Sequence, residues 1–387
     1  MIWNWQHKNW PDFVYDASAL QVFEDLFIKE SCKLLGASCI INEEQQQRFA
    51  IDLMSEEALK TSRIEGEWLR RESVASSLLT QFGFALSDEL VHANDKERGV
   101  AAVMLDNYRS YHEPLTHERL FLWHPCLVSQ SLLVRDVGCY RTGVEPMRIV
   151  SGYEGREKVH YEAPPSHRVA AEMDAYIQWF NDTAPDGNHA LPALTRASMA
   201  HLYFESIHPF EDGNGRIGRA LSEKALAQSL GKAGLFSLSH VIEKNRPEYY
   251  RQLEQHQRQL SVDGWLHYFA QTALDATAHS HRLVKFIVEK TRVFDCVRGK
   301  INARQEKALR RMFAEGMDGF DGGLSAKKYM SMTGATIATT TRDLNALVEM
   351  GVLLKTGKLK GTRYWLHLGD AFDDARLEHI EGCTKQA

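Results

Sequence analysis

The chain has 387 residues, enough for two or three domains, and its 44% hydrophobic and 25% charged content is that of an ordinary globular protein with a sizeable core. A net charge of −5 excludes a general polyanion binder, so any nucleic-acid contact has to be local. Cysteines at 32, 39, 126, 139, 296 and 383 form no CxxC pair, which argues against a zinc site of that type and fits reduced thiols in a cytoplasm.

Along the chain, Met1-Ile-Trp-Asn-Trp-Gln6 lacks the basic and then apolar pattern of a signal peptide. Trp3, Trp5, Trp10, Phe13 and Tyr15 suit an N-terminal arm packed onto the body or a sister subunit. Glu43 to Leu79 is helical in pattern, with Phe49, Leu53, Ala58, Ile64 and Leu69 at roughly helical spacing and Gly66 as a break. Residues 96–135 read as helical. Met147-Arg-Ile-Val150 and Lys158-Val-His-Tyr161 flank a glycine-containing turn and predict a hairpin that ends at Pro164-Pro165. Helices are predicted through Met173–Phe180, over Leu194–Ile207 with a stripe of Ala197, Ala200, Phe204 and Ile207, and then through Leu221–Leu230, stopped by Gly231. No run is long and apolar enough for a membrane span.

Between the last two helices lies His208-Pro-Phe-Glu-Asp-Gly-Asn-Gly-Arg-Ile-Gly-Arg219. Gly213 and Gly215 let a ligand approach the backbone, and a helix that begins there offers free N–H groups to phosphate. Arg216 and Arg219 are three apart and share a helix face, so they can clamp successive phosphates. Asp212 is a hard oxygen ligand suited to Mg²⁺. His208 can take a proton from an attacking hydroxyl near neutral pH. These are the parts of a phosphoryl or nucleotidyl transfer site. Gly213-Asn-Gly215-Arg-Ile-Gly218 also spells GxGxxG, but a helix precedes it where a dinucleotide site needs a strand. No Walker P-loop is present. His201, Glu205 and His208 do not form HExxH, and His201 suits a core position.

The run from His208 to Arg219 matches the Fic family signature, HxFx(D/E)GNGRxxR, at every fixed position. The resemblance extends over most of residues 100–270, including Leu115-Thr-His-Glu-Arg-Leu120 and Gly138-Cys-Tyr-Arg141, and residues 147–163 resemble the family's flap, which holds a target segment by strand pairing. It implies protein AMPylation with Mg-ATP as donor. His208 would then deprotonate a Tyr, Thr or Ser hydroxyl of a target protein, which can be the chain itself, and Asp212 would hold Mg²⁺. Asn214 and the backbone of Gly213 and Gly215 would cradle the α-phosphate, with Ile217 and Gly218 in the same nucleotide-binding stretch. Arg216 and Arg219 would bind the β- and γ-phosphates. Tyr249 and Gln257 resemble positions lining the nucleoside pocket, with packing an equal reading for both. A homodimer is expected by analogy alone.

Thr61-Ser-Arg-Ile-Glu65-Gly66 resembles the inhibitory motif of the same family: Ser or Thr, three residues, Glu, then Gly or Asn. By that resemblance Glu65 pairs with Arg219 and diverts it from the γ-phosphate, while Thr61 supports the helix. In some relatives the same glutamate directs water for removal of AMP, so the direction of the reaction stays open. UMP or phosphocholine transfer stays open as well.

Residues 324–366 read as helix, turn, helix and hairpin, resembling a winged helix. Lys327, Lys328, Arg342, Lys355, Lys358, Lys360 and Arg363 outnumber Asp343 and Glu349, which suits phosphate contact with DNA; protein docking is the equal alternative. A DNA-binding regulator with a Fic sensor is therefore a second reading. The expected fold is mainly α: an N-terminal helical region over 1–95, a Fic-type core with a β-hairpin flap over 96–285, and a winged-helix-like domain over 286–387.

Overall fold

The computed structural model describes residues 2–40, 42–84, 92–128, 131, 133–153, 156–317, 319–320 and 322–369. Glu154 and Gly155 of the hairpin turn, Cys383, and the side chains of Cys39 and Lys360 lie outside the described residues. The described residues form fourteen α-helices and two antiparallel hairpins, the mainly helical fold expected.

Two units divide between His281 and Arg282. In the first, α1 (Ala17–Ile40) supplies Glu24, whose carboxylate accepts the Leu194 and Thr195 backbone N–H groups at 3.0 and 2.8 Å. That anion caps the N-terminus of α7 (Ala193–Ile207). Every residue of α7 is buried, the polar Thr195, Arg196, Ser198, His201, Glu205 and Ser206 included. Helix α2 (Glu43–Ile64) starts with a capping box, in which the Asn42 side chain accepts the Gln45 N–H and the Gln45 side chain reaches back. It ends at Glu65 and Gly66, where the sequence places the break. Helix α3 (Arg71–Gln81) follows.

The expected helical stretch over 96–135 is two helices, α4 (Asp95–Ser110) and α5 (His117–Val128). Pro114 interrupts it, since proline lacks an N–H and restricts the residue before it. Strands β1 (Arg148–Ser151) and β2 (Lys158–Glu162) pair antiparallel with a register shift between Ile149 and Val150. Then come α6 (Ser166–Asp182), α8 (Asn214–Leu230), α9 (Leu238–Lys244), α10 (Arg246–His256) and α11 (Asp263–Val297), within which the unit boundary falls.

The expected boundary at 95/96 does not separate compact units, because α2 packs on α4, α8 and α9. The aromatic N-terminal arm closes on the same body. Asn4 donates to the Ser206 hydroxyl at 2.7 Å, Trp5 donates its indole N–H to the Glu162 carbonyl at 2.7 Å, and Trp3 packs edge-on against Tyr161.

In the second unit, α12 (Ala303–Ala314), α13 (Ala326–Thr333) and α14 (Ile337–Glu349) precede β3 (Leu353–Thr356) and β4 (Arg363–Leu366). Leu309, Phe313, Leu324, Tyr329, Leu344, Leu347 and Leu353 are buried there. Asp343, an acidic counterweight in the sequence, is buried and accepts from Arg304 at 2.9 Å and from the Tyr329 hydroxyl at 3.0 Å. Its charge is therefore withdrawn from the surface, where Lys327, Arg342, Lys355 and Lys358 remain exposed.

Candidate active site

Helix α7 ends at His208, which adopts a left-handed conformation with φ 49° and ψ 61°. Such a conformation is sparsely populated by residues with a Cβ, and it persists only where neighbours hold it. Here the His208 N–H bonds the Phe204 carbonyl at 2.9 Å, and the His208 carbonyl accepts from Arg141 Nε at 2.8 Å. The Arg141 N–H reaches the Pro209 carbonyl at 3.0 Å. Phe210 is fully buried and stacks on His124, with ring centroids 4.2 Å apart. The chain then turns through Gly213 at φ 84°, and α8 starts without a side-chain cap. Its first N–H groups are thus the uncapped donors that favour an anion.

Asn214 bonds the backbone of its own loop. Its side chain accepts the Phe210 N–H at 3.0 Å and donates to the Phe210 carbonyl at 2.8 Å, so it is committed to holding the loop. Ile217 is fully buried in the core, and a Cβ on Gly218 would lie 2.9 Å from Glu205 Oε1. These two residues seat α8 against α7.

Arg216 and Arg219 are drawn to separate carboxylates. Arg216 is bound by Glu67 at 2.8 Å, by the Leu127 carbonyl at 3.2 Å and by Asp212 at 3.5 Å. Arg219, with a side chain 1% exposed, donates to the Thr61 hydroxyl at 2.7 Å, the Thr61 carbonyl at 3.1 Å and Glu65 Oε1 at 2.7 Å. Burial works against the Arg219 charge, but Glu65 beside it outweighs that and holds the guanidinium protonated. Its Nη1 atom is buried and has no hydrogen-bond partner among the described residues. Glu65 Oε1 lies 2.4 Å from where a Cβ on residue 215 would stand, and Arg219 Nη1 lies 3.1 Å from it. Glycine at 215 is therefore what lets a carboxylate and a guanidinium meet over the first turn of α8.

Asp212 is half-exposed, and its Oδ1 accepts the Gly213 N–H at 2.6 Å. A carboxylate open to solvent beside uncapped N–H groups suits a hydrated Mg²⁺ that takes one protein oxygen and its remaining ligands from water and phosphate.

Tyr249 and Gln257 are buried rather than open to a ligand. The Tyr249 hydroxyl lies 2.8 Å from His201 Nε2, and Gln257 donates to the Glu205 carbonyl at 3.1 Å. His201 is a core histidine, as its pattern suggests: burial pushes its imidazole down to about 4.

Four residues at the site carry roles that the sequence does not single out: Glu67, His124, Arg141 and Glu205. Glu205 is buried with Oε2 3.7 Å from His208 Nδ1, an ion-pair distance longer than a hydrogen bond. Burial pushes its carboxyl up, but His208, His201 and Arg219 outweigh that and keep it below its ordinary range. The i,i+3 spacing of Glu205 and His208 is the one signal available in sequence. Glu67 and His124 are found only through tertiary contact.

Known proteins fit this arrangement. Residues 114–226 match the Fic/DOC family, and residues 3–84 match a domain of unknown function, DUF4172. The chain is 26% identical over 133 residues to a probable protein adenylyltransferase of Aquifex aeolicus (strain VF5); the match takes in 33% of this chain and 37% of that protein, so it spans little more than a third of the relative's length. A crystal structure of a Fic family protein from Desulfovibrio desulfuricans G20 superposes with a TM-score of 0.51 at 20% identity, covering 92% of this chain and 98% of that one. A Fic domain containing signaling protein from Bacteroides thetaiotaomicron VPI-5482 gives 0.50 at 18%, covering 68% and 97%. The two structures share the fold. The stretch that bears the His208 loop, residues 114–226, is the part of the chain that matches the Fic/DOC family.

Proposed function

We propose that the protein transfers AMP from ATP to a hydroxyl of a protein side chain, and that Glu65 restrains the transfer. One observation carries this reading. The Glu65 carboxylate and the Arg219 guanidinium meet over the uncapped start of α8, so Glu65 stands where an anion would be received and holds the cation that would receive it. With Glu65 withdrawn, Arg219 Nη1 and the first N–H groups of α8 face a triphosphate.

In the transfer, His208 accepts the proton of the target hydroxyl. The freed oxygen attacks the α-phosphorus, the bond to the bridging oxygen breaks, and pyrophosphate leaves. Asp212 would hold Mg²⁺, which supplies neutralisation of phosphate charge. Glu205 lies beside the His208 imidazole, with Oε2 3.7 Å from Nδ1, and helps to orient the ring. Strand β1 is solvent-exposed along its length and leaves an edge for a target segment to pair with.

The test is mass spectrometry of the full chain and candidate targets after incubation with Mg-ATP, for wild type, Glu65→Gly and His208→Ala. More AMP adduct on Glu65→Gly than on wild type, and none on His208→Ala, supports the reading. A UMP or phosphocholine adduct with the corresponding donor, or loss of a pre-existing AMP, identifies another Fic reaction. For the second unit, the exposed basic side chains of α14 and the β3–β4 hairpin favour contact with DNA. A mobility shift that weakens with salt supports this, and its absence at low ionic strength points to protein docking.

A further inference from the structure

We propose that Glu56, His240 and His279 form a binding site for one divalent transition-metal ion of the zinc class, which fastens α2 to α9 and α11. Glu56 Oε1 lies 2.6 Å from His240 Nδ1, and Oε2 lies 2.8 Å from His279 Nε2. The two imidazoles stack with centroids 3.6 Å apart and planes 18° apart. One ligand atom from each residue falls in a group whose members all lie within 4.8 Å of one another.

Two imidazole nitrogens and a carboxylate oxygen are borderline donors, which suit zinc and its first-row neighbours and disfavour magnesium and calcium. A tetrahedral ion with bonds of about 2.0–2.1 Å needs ligand atoms about 3.3 Å apart. To accept the ion, the carboxylate oxygens draw back by about 0.5–0.7 Å, and the two rings rotate out of their stack so that both in-plane lone pairs point at it. Binding requires the ring protons on His240 Nε2 and His279 Nδ1, buried atoms without an acceptor among the described residues, a cost that the metal bonds have to exceed. The facing nitrogen of each ring then offers its lone pair. All three side chains are nearly buried, with His240 and Glu56 slightly open, which leaves a path for the ion and a water as fourth ligand.

The ligands come from positions 184 and 223 residues apart, so no sequence motif announces them. The neighbouring contacts set the geometry before any ion arrives. Glu57 accepts the Ser239 N–H at 2.9 Å, and Lys60 pairs with Glu243 at 3.0 Å, both between α2 and α9. Glu56 stands nine residues before Glu65 on the same helix, about 13.5 Å along its axis. An ion at this site fixes the position of α2 and hence of Thr61 and Glu65. The site stands independently of the transfer reading; its influence on Glu65 rests on that reading.

The test uses full-length protein freed of metal by chelator dialysis and needs no nucleotide. Titration with Zn²⁺ against a chromophoric chelator is expected to show one equivalent bound and a raised Tm. Co²⁺ is expected to give visible d–d bands without thiolate charge transfer. His240→Ala and His279→Ala, checked for native circular dichroism, are expected to weaken binding at least about 100-fold, the upper end of what losing only outer-sphere support costs. Absence of stoichiometric binding and of the Co²⁺ bands in wild type overturns the proposal without recourse to any variant. Equal binding by folded variants also overturns it. Because labelling by ATP is not read, failure of the transfer reading leaves this result intact.

Discussion

Replacing Glu65 by glycine separates the Arg219 cation from its partner, and the size of the effect follows from their geometry. Two unit charges about 4 Å apart at an effective dielectric constant near 20 interact by about 4 kcal/mol. The Glu65 side chain is 29% exposed, so solvent screens its half of the pair and about 2 kcal/mol is a fair discounted value. That corresponds to roughly 30-fold in the population free to bind the γ-phosphate. Auto-labelling with labelled ATP is therefore expected to rise about 10–100-fold in Glu65→Gly over wild type. The same substitution leaves a buried guanidinium held by Thr61 alone, so unliganded Tm falls. Mg-ATP is expected to restore it, because ligand bound only by the folded state stabilises it. Equal labelling by wild type and Glu65→Gly refutes the restraint. Equal labelling by His208→Ala refutes the chemistry itself.

Glu205→Gln is expected to lower kcat for labelling in the Glu65→Gly background about 10-fold, since it alters the carboxylate 3.7 Å from the His208 ring that orients the base. A change in KM for ATP with an unchanged kcat would place Glu205 in nucleotide binding instead. Asp212→Ala is expected to abolish Mg²⁺-dependent labelling while leaving Tm nearly unchanged, because the side chain is half-exposed; a large fall in Tm would give it a structural role. Tyr249→Phe is expected to cost about 1–3 kcal/mol of stability by stranding His201 Nε2, with KM for ATP unaltered. A raised KM would return Tyr249 to the nucleoside pocket. For the second unit, Asp343→Asn is expected to lower the stability of α12–α14 by about 2–3 kcal/mol at pH 7, read by hydrogen exchange. Burial raises the Asp343 carboxyl, but Arg304, Tyr329 and Asn302 outweigh it and hold it below the ordinary range. Its contribution is therefore present above the unfolded carboxylate value and lost as pH falls through the lower folded one, so the difference between the two proteins narrows in acid.

The helices were legible from the spacing of their apolar residues and from their stop signals. The stripe of Ala197, Ala200, Phe204 and Ile207 and the stop at Gly231 both mark elements that are present. The interruption of 96–135 was signalled by Pro114, whose local effect the apolar pattern obscures. The His208 loop was legible as a unit because its residue types are unusual together. Its division of labour was not. Asn214, Ile217 and Gly218 stand inside the motif; the Asn214 side chain bonds the Phe210 backbone, Ile217 is buried, and Gly218 leaves room for Glu205 and His201. The separate partners of Arg216 and Arg219 depend on Glu67 and Glu65 arriving from the turn that closes α2, 149 and 154 positions earlier. Helical periodicity says which residues share a face, and it carries no information about which distant carboxylate will meet that face.

The order of Glu65 and Arg219 along the chain also bears on synthesis. Glu65 emerges from the ribosome 154 residues ahead of Arg219, which at common elongation rates is roughly 10–30 s. Helix α2 is thus already made when the His208 loop first becomes able to fold. The loop closes onto a glutamate that was waiting for it, so a newly made molecule has no interval in which Arg219 is formed and Glu65 is missing.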